Sequence, residues 1–388
     1  MKSEKRHIGW LLSSMLMLLL LLTACSSSST DDEAEKPKVK PVLKIYLFAP
    51  ESPIITRANT GSVDALEAEK EIHTIDIWVF EHESPNKKVS YIHLDDVSFS
   101  GQKEIAMELT DKFANLPKKP NVDIYVAANK ESCGLTSLNE NTTLAQLKET
   151  CIGSSSFGTT SPVNTVPLEG LPMSGLLENQ IISGIPPVYT AMSQNVKLVR
   201  AVSKVRFIFS MSNANPPTIS NLSISLSANM IPKEEYLFLE GVYPTYKSRI
   251  KLTGENNYES EASLVTNNNT VINKCDDPAS YAYTSETGQA YEDKMNAGIT
   301  ATHLSDFGTF YFRESDKKLE GTISYTLGTA PNATPKSKTF TMGAAGDFTR
   351  NHTWIVYGYF LGSGDLKLNV VDVKDWTSGS EDPKVYNW

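Results

Sequence analysis

The sequence lacks the residue patterns on which most enzymes depend. Its 388 residues contain only six histidines and four cysteines, and none of these forms an HExxH or CxxC pattern. A GxSxG nucleophile elbow and a glycine-rich loop for phosphate or dinucleotide are also missing. The aspartate pairs at 95–96 and 276–277 are compatible with calcium, but loops of acidic proteins commonly carry such pairs. We therefore expect no enzymatic activity, no cofactor and no metal site.

An excess of positive charge is absent as well. The chain has 36 Lys and Arg residues against 45 Asp and Glu residues, which gives a formal net charge of −9. A protein that binds nucleic acid needs a basic surface to neutralise phosphates, so this balance argues against nucleic acid as a partner. A long apolar run is missing beyond residue 22, whereas a membrane-spanning helix needs about 20 apolar residues.

The N-terminus has the layout of an export signal. A basic head at 2–6 precedes an apolar segment at 10–22, and small residues follow at 23–24. The sequence LTAC at 22–25 resembles a bacterial lipobox, in which Cys25 is acylated and becomes the new N-terminus. We therefore predict a signal peptide over 1–24 and a lipid anchor on Cys25. The alternative is a plain secretory signal with an incidental cysteine.

Most of the remaining chain alternates between apolar and polar residues, which is typical of strands with one buried face. Gly, Pro, Asn and Ser cluster between the alternating segments. The predicted strands are 43–48, 72–80, 89–94, 104–109, 123–128, 195–199, 203–210, 219–226, 309–313, 321–327, 353–360 and 365–373. Short helices are predicted at 63–70 and 143–150. Because strands and helices do not alternate, the pattern favours an all-β fold of two β-sandwich domains with few short helices.

The Pro- and Gly-rich stretch at 162–187 marks a candidate domain boundary. Its periodicity is weak, and a new pair of strands begins near residue 195. We therefore predict an N-terminal β-sandwich over 58–190 and a C-terminal β-sandwich over 191–388.

Three cysteines lie in these predicted domains, and an export compartment permits disulfides. Pairing of Cys133 with Cys151 would close a loop around the predicted helix at 143–150, and Cys275 would then be free. The spacing equally allows three unpaired thiols.

The segment at 43–48 is a strand joined to the rest of the chain by a linker that a protease can reach. Leu43, Ile45 and Leu47 lie on one face of it, and the linker contains two prolines and Arg57. Loss of this strand would leave an empty position in a sheet. The unpaired N–H and C=O groups beside that position would form a template for another chain.

The C-terminal region contains a second unusual segment. Its apolar residues alternate at first and then shift phase, which a β-bulge would explain. These residues are Leu366, Leu368, Val370, Val371 and Val373. A Gly- and Ser-rich stretch separates them from the sequence KVYNW at 384–388. A strand-like tail of this kind is expected to dock, either in its own domain or in another chain.

Several short motifs follow one another along essentially the whole chain. They are the lipobox at 22–25, TRA at 56–58, IDIWVF at 75–80, VAAN at 126–129, LPMSG at 171–175, VKLVRAVSKV at 196–205, FTRNHTW at 348–354 and VKDW at 373–376. Each motif is degenerate alone. In this order and spacing they resemble the FimA/Mfa1-type fimbrillins of Bacteroidales, the subunits of type V pili.

The resemblance implies two transthyretin-like β-sandwich domains and assembly into a cell-surface fimbrium. The lipoprotein would reach the surface on the outer membrane, and an Arg-specific protease would cut after Arg57 and free Ala58 as the mature N-terminus. The prosegment 25–57 would leave with its strand at 43–48. A C-terminal strand of an adjacent subunit would then fill the vacated groove.

The donor strand in such an assembly is C-terminal. The predicted donor side chains are Leu366, Leu368, Val370, Val371 and Val373. The sequence leaves open which of the two C-terminal segments, 366–373 or 384–388, enters the groove. The partners that the resemblance implies are other fimbrial subunits, the Arg-specific protease and a receptor on a host or bacterial surface.

The same family contains tip, accessory and anchor subunits besides stalk subunits. Arg57 in a clear linker and the strand-like C-terminus favour a stalk subunit. A hypothesis of a different class is a surface glycan-binding lipoprotein that stays lipidated, uncut and monomeric. Sixteen tyrosines are compatible with sugar binding, yet most lie in alternating strands where side-chain packing explains them.

Overall fold

The protein is built from strands, and the all-β class predicted from the sequence is confirmed. The computed structural model describes residues 42–49, 68–83, 85–99, 102–110, 121–159, 162–182, 192–239, 250–252, 255–282, 288–373 and 385–387. The strands in these ranges are β1 (Val42–Phe48), β2 (Ile75–Glu81), β3 (Lys88–Leu94), β4 (Gln102–Glu108), β5 (Val122–Ala128), β6 (Cys151–Ile152), β7 (Met173–Gln180), β8 (Met192–Lys197), β9 (Val199–Arg200), β10 (Ser203–Ser212), β11 (Ile219–Leu226), β12 (Glu235–Tyr236), β13 (Ala262–Asn268), β14 (Lys274–Cys275), β15 (Ser305–Phe312), β16 (Leu319–Leu327), β17 (Thr334–Met342), β18 (Thr353–Phe360), β19 (Leu366–Val373) and β20 (Val385–Asn387).

Helices are short and few in the described ranges. They are α1 (Leu144–Lys148), α2 (Ala279–Ala282) and α3 (Gly288–Thr300), with a 3-10 turn at Lys130–Cys133. None of them has both the length and the apolar character that a membrane span requires. The helix predicted at 143–150 is confirmed as α1, whereas most of the one predicted at 63–70 lies outside the described residues.

Thr143 is the N-cap residue of α1 and forms a capping box with Gln146. The Gln146 N–H donates to the Thr143 hydroxyl over 3.3 Å, and the Thr143 N–H donates to the Gln146 side-chain oxygen over 2.8 Å. Leu144 and Leu147 pack on Trp78 and Tyr125, which point away from the neighbouring sandwich core.

The first pair of sheets encloses one hydrophobic core. A three-stranded sheet has the order β4-β1-β8, and a five-stranded sheet has the order β3-β2-β5-β7-β9. Ile45 and Ile105 of the smaller sheet share a cluster with Ile77 and Val126 of the larger one. The two sheets therefore form a β-sandwich.

The second pair of sheets forms a second sandwich. One sheet has the order β14-β10-β18-β19-β20 with β15 beside β10, and the other has the order β13-β11-β16-β17. Phe207 and Trp354 of the first share a core with Ile224 and Phe340 of the second. Edge-to-face contact of the Phe207 and Phe340 rings, with centroids 5.6 Å apart, adds to this packing.

Strand β19 is buried on both faces, and the β-bulge expected there is wrong. Its pairing with β18 covers eight residues without a register shift. Its first three apolar residues belong to the sandwich core, and the last two pack with α3 on the opposite face. The first group is Leu366, Leu368 and Val370, and the second is Val371 and Val373. The apolar pattern changes phase because both faces of the strand are covered.

Strands β8 and β9 belong with the first pair of sheets. β8 pairs with β1, and β9 pairs with β7. The first strand of the second sandwich is β10, which begins at Ser203. The change of partner sheets therefore falls after Arg200, ten residues beyond the boundary expected at 190.

The three cysteines described in the structure, Cys133, Cys151 and Cys275, are free thiols. Of the two alternatives that the spacing allowed, the structure has the unpaired one. Burial raises the pKa of both Cys133 and Cys151 to about 12, so these thiols stay protonated and unreactive at neutral pH.

Glu235 is fully buried beside a second carboxyl group. Its Oε2 accepts a hydrogen bond from the Glu314 N–H over 2.7 Å, and its Oε1 lies 3.8 Å from Nη2 of Arg350. Burial raises the pKa of Glu235 to about 8; Arg350 and Arg313 oppose the rise, and the Glu314 charge adds to it. Glu235 therefore keeps its proton at neutral pH.

This proton makes the stability of the protein depend on pH. The pKa of an unfolded glutamate is near 4.5, whereas the pKa of folded Glu235 is about 8. Between these two pH values the folded state therefore binds more protons than the unfolded state. The free energy of unfolding should therefore fall as the pH rises through this window. Glu235→Gln should flatten the profile of the urea unfolding midpoint against pH. The control variant Glu320→Gln changes a half-exposed carboxylate and should leave that profile unchanged. An unchanged slope in Glu235→Gln would contradict the assignment.

Candidate functional site

Strand β1 occupies the centre of the three-stranded sheet. It pairs antiparallel with β4 over seven residues and parallel with β8 over six. The Leu198 N–H extends the second ladder by donating to the Phe48 carbonyl over 2.9 Å. The first described strand of the chain is thus inserted between two strands that lie far from it in sequence.

Period-two alternation positions the side chains of β1. Leu43, Ile45 and Leu47 are 0% exposed and point into the sandwich core, as the sequence predicts. Lys44 and Tyr46 point outward and are only partly buried. A strand with this pattern fits one register only, because a slip by one residue would place Lys44 and Tyr46 in the core.

Apolar burial holds β1 in place more than surface charge does. Each buried Leu or Ile side chain contributes about 1.5–3 kcal/mol relative to exposure. The ion pair from Lys44 Nζ to Glu104 Oε1 is 2.7 Å long, but these side chains are 35% and 42% exposed. Such exposed pairs add little. Another strand with the same alternation could therefore replace most of what β1 supplies.

The two neighbours of β1 depend on it for their pairing. Within the described residues, neither β4 nor β8 forms a backbone ladder with any strand other than β1. If β1 left, each would present an edge of unpaired N–H and C=O groups to the same empty position. This position would be roughly 23 Å long, at about 3.3 Å per residue. Its floor would contain Ile77, Val79 and Val126 of the facing sheet.

The processing residues predicted from the sequence lie outside the described residues. This applies to Cys25, Arg57 and Ala58. In sequence, Arg57 lies between Ala49, the last described residue after β1, and Ala68, where the description resumes. Lipidation and cleavage therefore stay predictions.

The structure places the predicted donor residues in β19, within their own domain. Acting as a donor would require β19 to leave β18 and to expose five side chains that are at most 5% exposed. Strand β20, at the edge of the same sheet, pairs with β19 over only three residues. The donor role of β19 stays a prediction, and these contacts favour the other candidate segment, 384–388.

Two histidines of the first sandwich are each paired with a carboxylate. Nδ1 of His82 lies 2.6 Å from the Asp123 carboxylate, and Nδ1 of His93 lies 3.0 Å from that of Asp76. Within the part of the chain that the structure describes, no group of three or more His, Cys, Asp or Glu residues is arranged to hold a metal ion. The candidate site consists of strand edges and apolar pockets.

Sequence reasoning found β1 and the two strands that flank it, but it missed their pairing. The segments 104–109 and 195–199 were predicted as strands, yet nothing local indicated that both pair with β1. The parallel β1–β8 pair joins residues about 150 positions apart in the chain, beyond the reach of any local pattern. The only available signal was the apolar face shared by Ile105 and Met107.

Comparisons with known proteins identify a solved structure with a similar fold. No protein-family model and no curated protein matches the chain. Among solved structures, a protein described as a "putative cell adhesion protein" of Parabacteroides distasonis ATCC 8503 aligns with a TM-score of 0.50 and 14% identity. The alignment covers 89% of this chain and 99% of that one. This chain therefore has the same fold, and the resemblance expected from the sequence is confirmed at that level.

Two named fimbrial proteins also align along most of their length. A FimA fimbrilin of Porphyromonas gingivalis W83 gives a TM-score of 0.43 at 11% identity, with 89% of this chain and 97% of that chain covered. The tip fimbrial protein Mfa3 of the same species, truncated at its C-terminus, gives 0.43 at 12% identity, with 90% and 100% covered.

Proposed function

We propose that this chain is a fimbrial stalk subunit that assembles by exchange of its N-terminal strand for a C-terminal strand of the next subunit. The observation that supports this proposal is the position of β1. It is the sole link between β4 and β8 within the described residues, and its sequence neighbour is a linker that contains Arg57. A single cut in that linker would detach the central strand and leave the rest of the chain covalently intact.

The proposed pathway begins with export and lipidation. The signal peptide 1–24 is removed, and the lipid on Cys25 holds the precursor at the outer membrane. An Arg-specific protease then cuts after Arg57, which makes Ala58 the mature N-terminus. The prosegment 25–57 leaves with β1, and two β-sandwich domains remain, divided after Arg200.

The vacated groove then accepts a strand from another subunit. The edges of β4 and β8 would pair with its backbone, and its alternate apolar side chains would enter the pockets left by Leu43, Ile45 and Leu47. Such a contact joins different surfaces of identical subunits and does not close on itself, so it extends a filament. Segment 384–388 is our preferred donor, and β19 is the alternative.

The expected partners follow from this pathway. They are other fimbrial subunits, the processing protease and a receptor on a host or bacterial surface. The alternatives are tip, accessory or anchor roles, and a glycan-binding lipoprotein that does not polymerise.

The test is limited digestion of the purified precursor with an Arg-specific protease. Ala58 as the new N-terminus and a ladder of high-mass species on an unboiled gel are the expected results. Arg57→Ala should abolish both the cut and the ladder. Lys40→Ala, a basic residue before β1, should behave like the unmodified chain.

The alternatives fall into two groups that this experiment separates. Persistent monomer after a clean cut would exclude the stalk role and point to a tip or accessory subunit. A precursor that resists the protease at Arg57 would instead point to an anchor or to the non-polymerising lipoprotein.

A further inference from the structure

Glu104 of β4 contacts the outward-facing side of β1. It lies directly opposite Tyr46 in the antiparallel ladder, and it accepts side-chain hydrogen bonds from both Lys44 and Tyr46. Nζ of Lys44 lies 2.7 Å from Oε1 of Glu104. These hydrogen bonds lower the pKa of Glu104, so its carboxylate is charged at neutral pH. One anion of β4 therefore binds two successive outward residues of the strand beside it.

The C-terminal segment repeats the sequence of β1 at these positions. Residues 44–48 read KIYLF, and residues 384–388 read KVYNW. The lysine and the tyrosine recur at the same spacing, valine stands in place of isoleucine between them, and the last residue is aromatic in both. Asn387, in place of Leu47, is the one change of polarity. The segment therefore carries the two residue types that Glu104 binds in β1.

Strand β19, the alternative donor, matches β1 less completely. Its residues 366–370 read LKLNV, which align with LKIYL at 43–47. The lysine recurs, but asparagine stands in place of the tyrosine. β19 also pairs with β18 over eight residues, whereas β20 pairs with β19 over three. The segment at 384–388 is thus the better copy of β1, and its described strand has fewer backbone pairs to break.

The repeated sequence defines a register for the incoming strand. Lys384 takes the place of Lys44, and its backbone runs, as that of β1 does, antiparallel to β4 and parallel to β8. Val385 then enters the pocket of Ile45. A shift by one residue would turn Lys384 and Tyr386 toward the apolar floor of the groove, where neither reaches Glu104.

The charge of Glu104 affects the choice of strand more than the strength of binding. The apolar pockets accept any strand with the right alternation, and an ion pair as exposed as that of Lys44 and Glu104 adds little affinity. A like charge placed across the ladder is destabilising, however, and it rejects strands that the pockets alone would accept. Glu104 therefore discriminates against a donor with an acidic residue at this place.

We propose that Glu104 selects the donor strand of the next subunit by bonding its Lys384 and Tyr386. The partner that fits this surface is a second copy of the chain, because its C-terminal segment carries the matching residues. This inference rests on the proposed strand exchange, and it names the residue that determines the specificity and register of that exchange.

The test measures how the full-length chain captures a synthetic peptide of residues 378–388. The fluorescent peptide is present in excess while the Arg-specific protease cuts the precursor, and fluorescence anisotropy measures its binding. The unmodified chain should bind the natural peptide about fivefold or more tightly than the Lys384→Glu peptide. Glu104→Lys should reverse this preference. Glu320→Lys makes the same change of charge on β16, in the other sandwich, and should keep the natural preference.

A third peptide tests the register. In the proposed register, residue 387 enters the pocket of Leu47, a side chain that is 0% exposed in the apolar core. Asn387→Leu in the peptide removes a polar amide from that pocket and should strengthen binding about fivefold or more. Unchanged or weaker binding would place residue 387 outside the pocket and contradict the register.

A reversed preference in Glu104→Lys would itself show that this variant folds. The inference is overturned if a clean cut at Arg57 gives no capture, if the unmodified chain binds the natural and Lys384→Glu peptides equally, or if Glu104→Lys keeps the natural preference. Charge-dependent capture by a chain that forms no ladder would retain the inference and reject the stalk role. A ladder without charge-dependent capture would do the reverse.

Discussion

Arg350→Ala is expected to destabilise the protein by about 3–5 kcal/mol, because it leaves buried acceptors without their cation. Arg350 is 0% exposed, and its Nε donates to the Glu314 carboxylate. Its Nη1 donates to the Leu237 carbonyl over 2.9 Å, and its Nη2 donates to the Tyr236 carbonyl over 2.7 Å. The substitution therefore removes three hydrogen bonds and also a cation near Glu235. Urea unfolding followed by tryptophan fluorescence measures the loss.

Two further variants define the cause of this loss. Arg350→Lys should recover only part of the stability, because an ammonium group cannot reproduce the planar fork that reaches three acceptors. Lys318→Ala removes an exposed ion pair with Glu320, 3.0 Å long, and should cost less than about 1 kcal/mol. A loss in Arg350→Ala as small as that in Lys318→Ala would show that the buried network does not stabilise the fold.

A chain that stops after Val373 is expected to be cut at Arg57 but to form no polymer. The truncation removes 374–388 and leaves β19 in its sheet with its eight-residue pairing to β18. The subunit would retain its groove and lose its preferred donor segment. N-terminal sequencing, circular dichroism and an unboiled gel distinguish failed assembly from failed processing or folding.

Mixing the truncated chain with the full-length chain provides the control for this truncation. A cut, truncated subunit can still accept a strand but cannot donate one, so it should terminate growing filaments. Equal amounts of truncated and full-length subunits should therefore give a shorter ladder than the full-length chain alone. A normal ladder from the truncated chain by itself would return the donor role to β19.

Local patterns predicted the elements whose signals are local. The alternation at 43–48 identified β1, and its inward residues are the buried ones. The helix predicted at 143–150 is α1, and its capping box joins Thr143 and Gln146, three residues apart. In both cases the side chains that decide the structure lie within a few residues of one another.

Among the elements that escaped sequence reasoning, three show that weak signals in their own residues were the cause. Most of β17 is exposed at a sheet edge and contains Pro335 and several lysines and threonines, so it has little apolar alternation. Strand β7 lies within the stretch at 162–187 that composition marked as a linker. Helix α3 buries only a narrow stripe around Tyr291 and Met295, and it contains two glycines.

The buried charge cluster of Glu69, Lys204, Arg206 and Glu292 lay beyond sequence reasoning for a different reason. Its charged residues come from separate parts of the chain, with Glu69 135 positions from Lys204 and Glu292 88 positions beyond it. Each of them looks like an ordinary surface charge in the sequence. Their burial and mutual pairing exist only after the strands and α3 have packed.

The sequence by itself determined the class of fold, the face that β1 buries and the candidate processing sites. Alternation, capping and signal motifs act over a few residues, so these features can be read in order along the chain. Tertiary structure alone decided that β1 lies between β4 and β8 and that β19 is buried on both faces. Strand pairing and burial join residues that are far apart in sequence, and no local pattern specifies which edges meet.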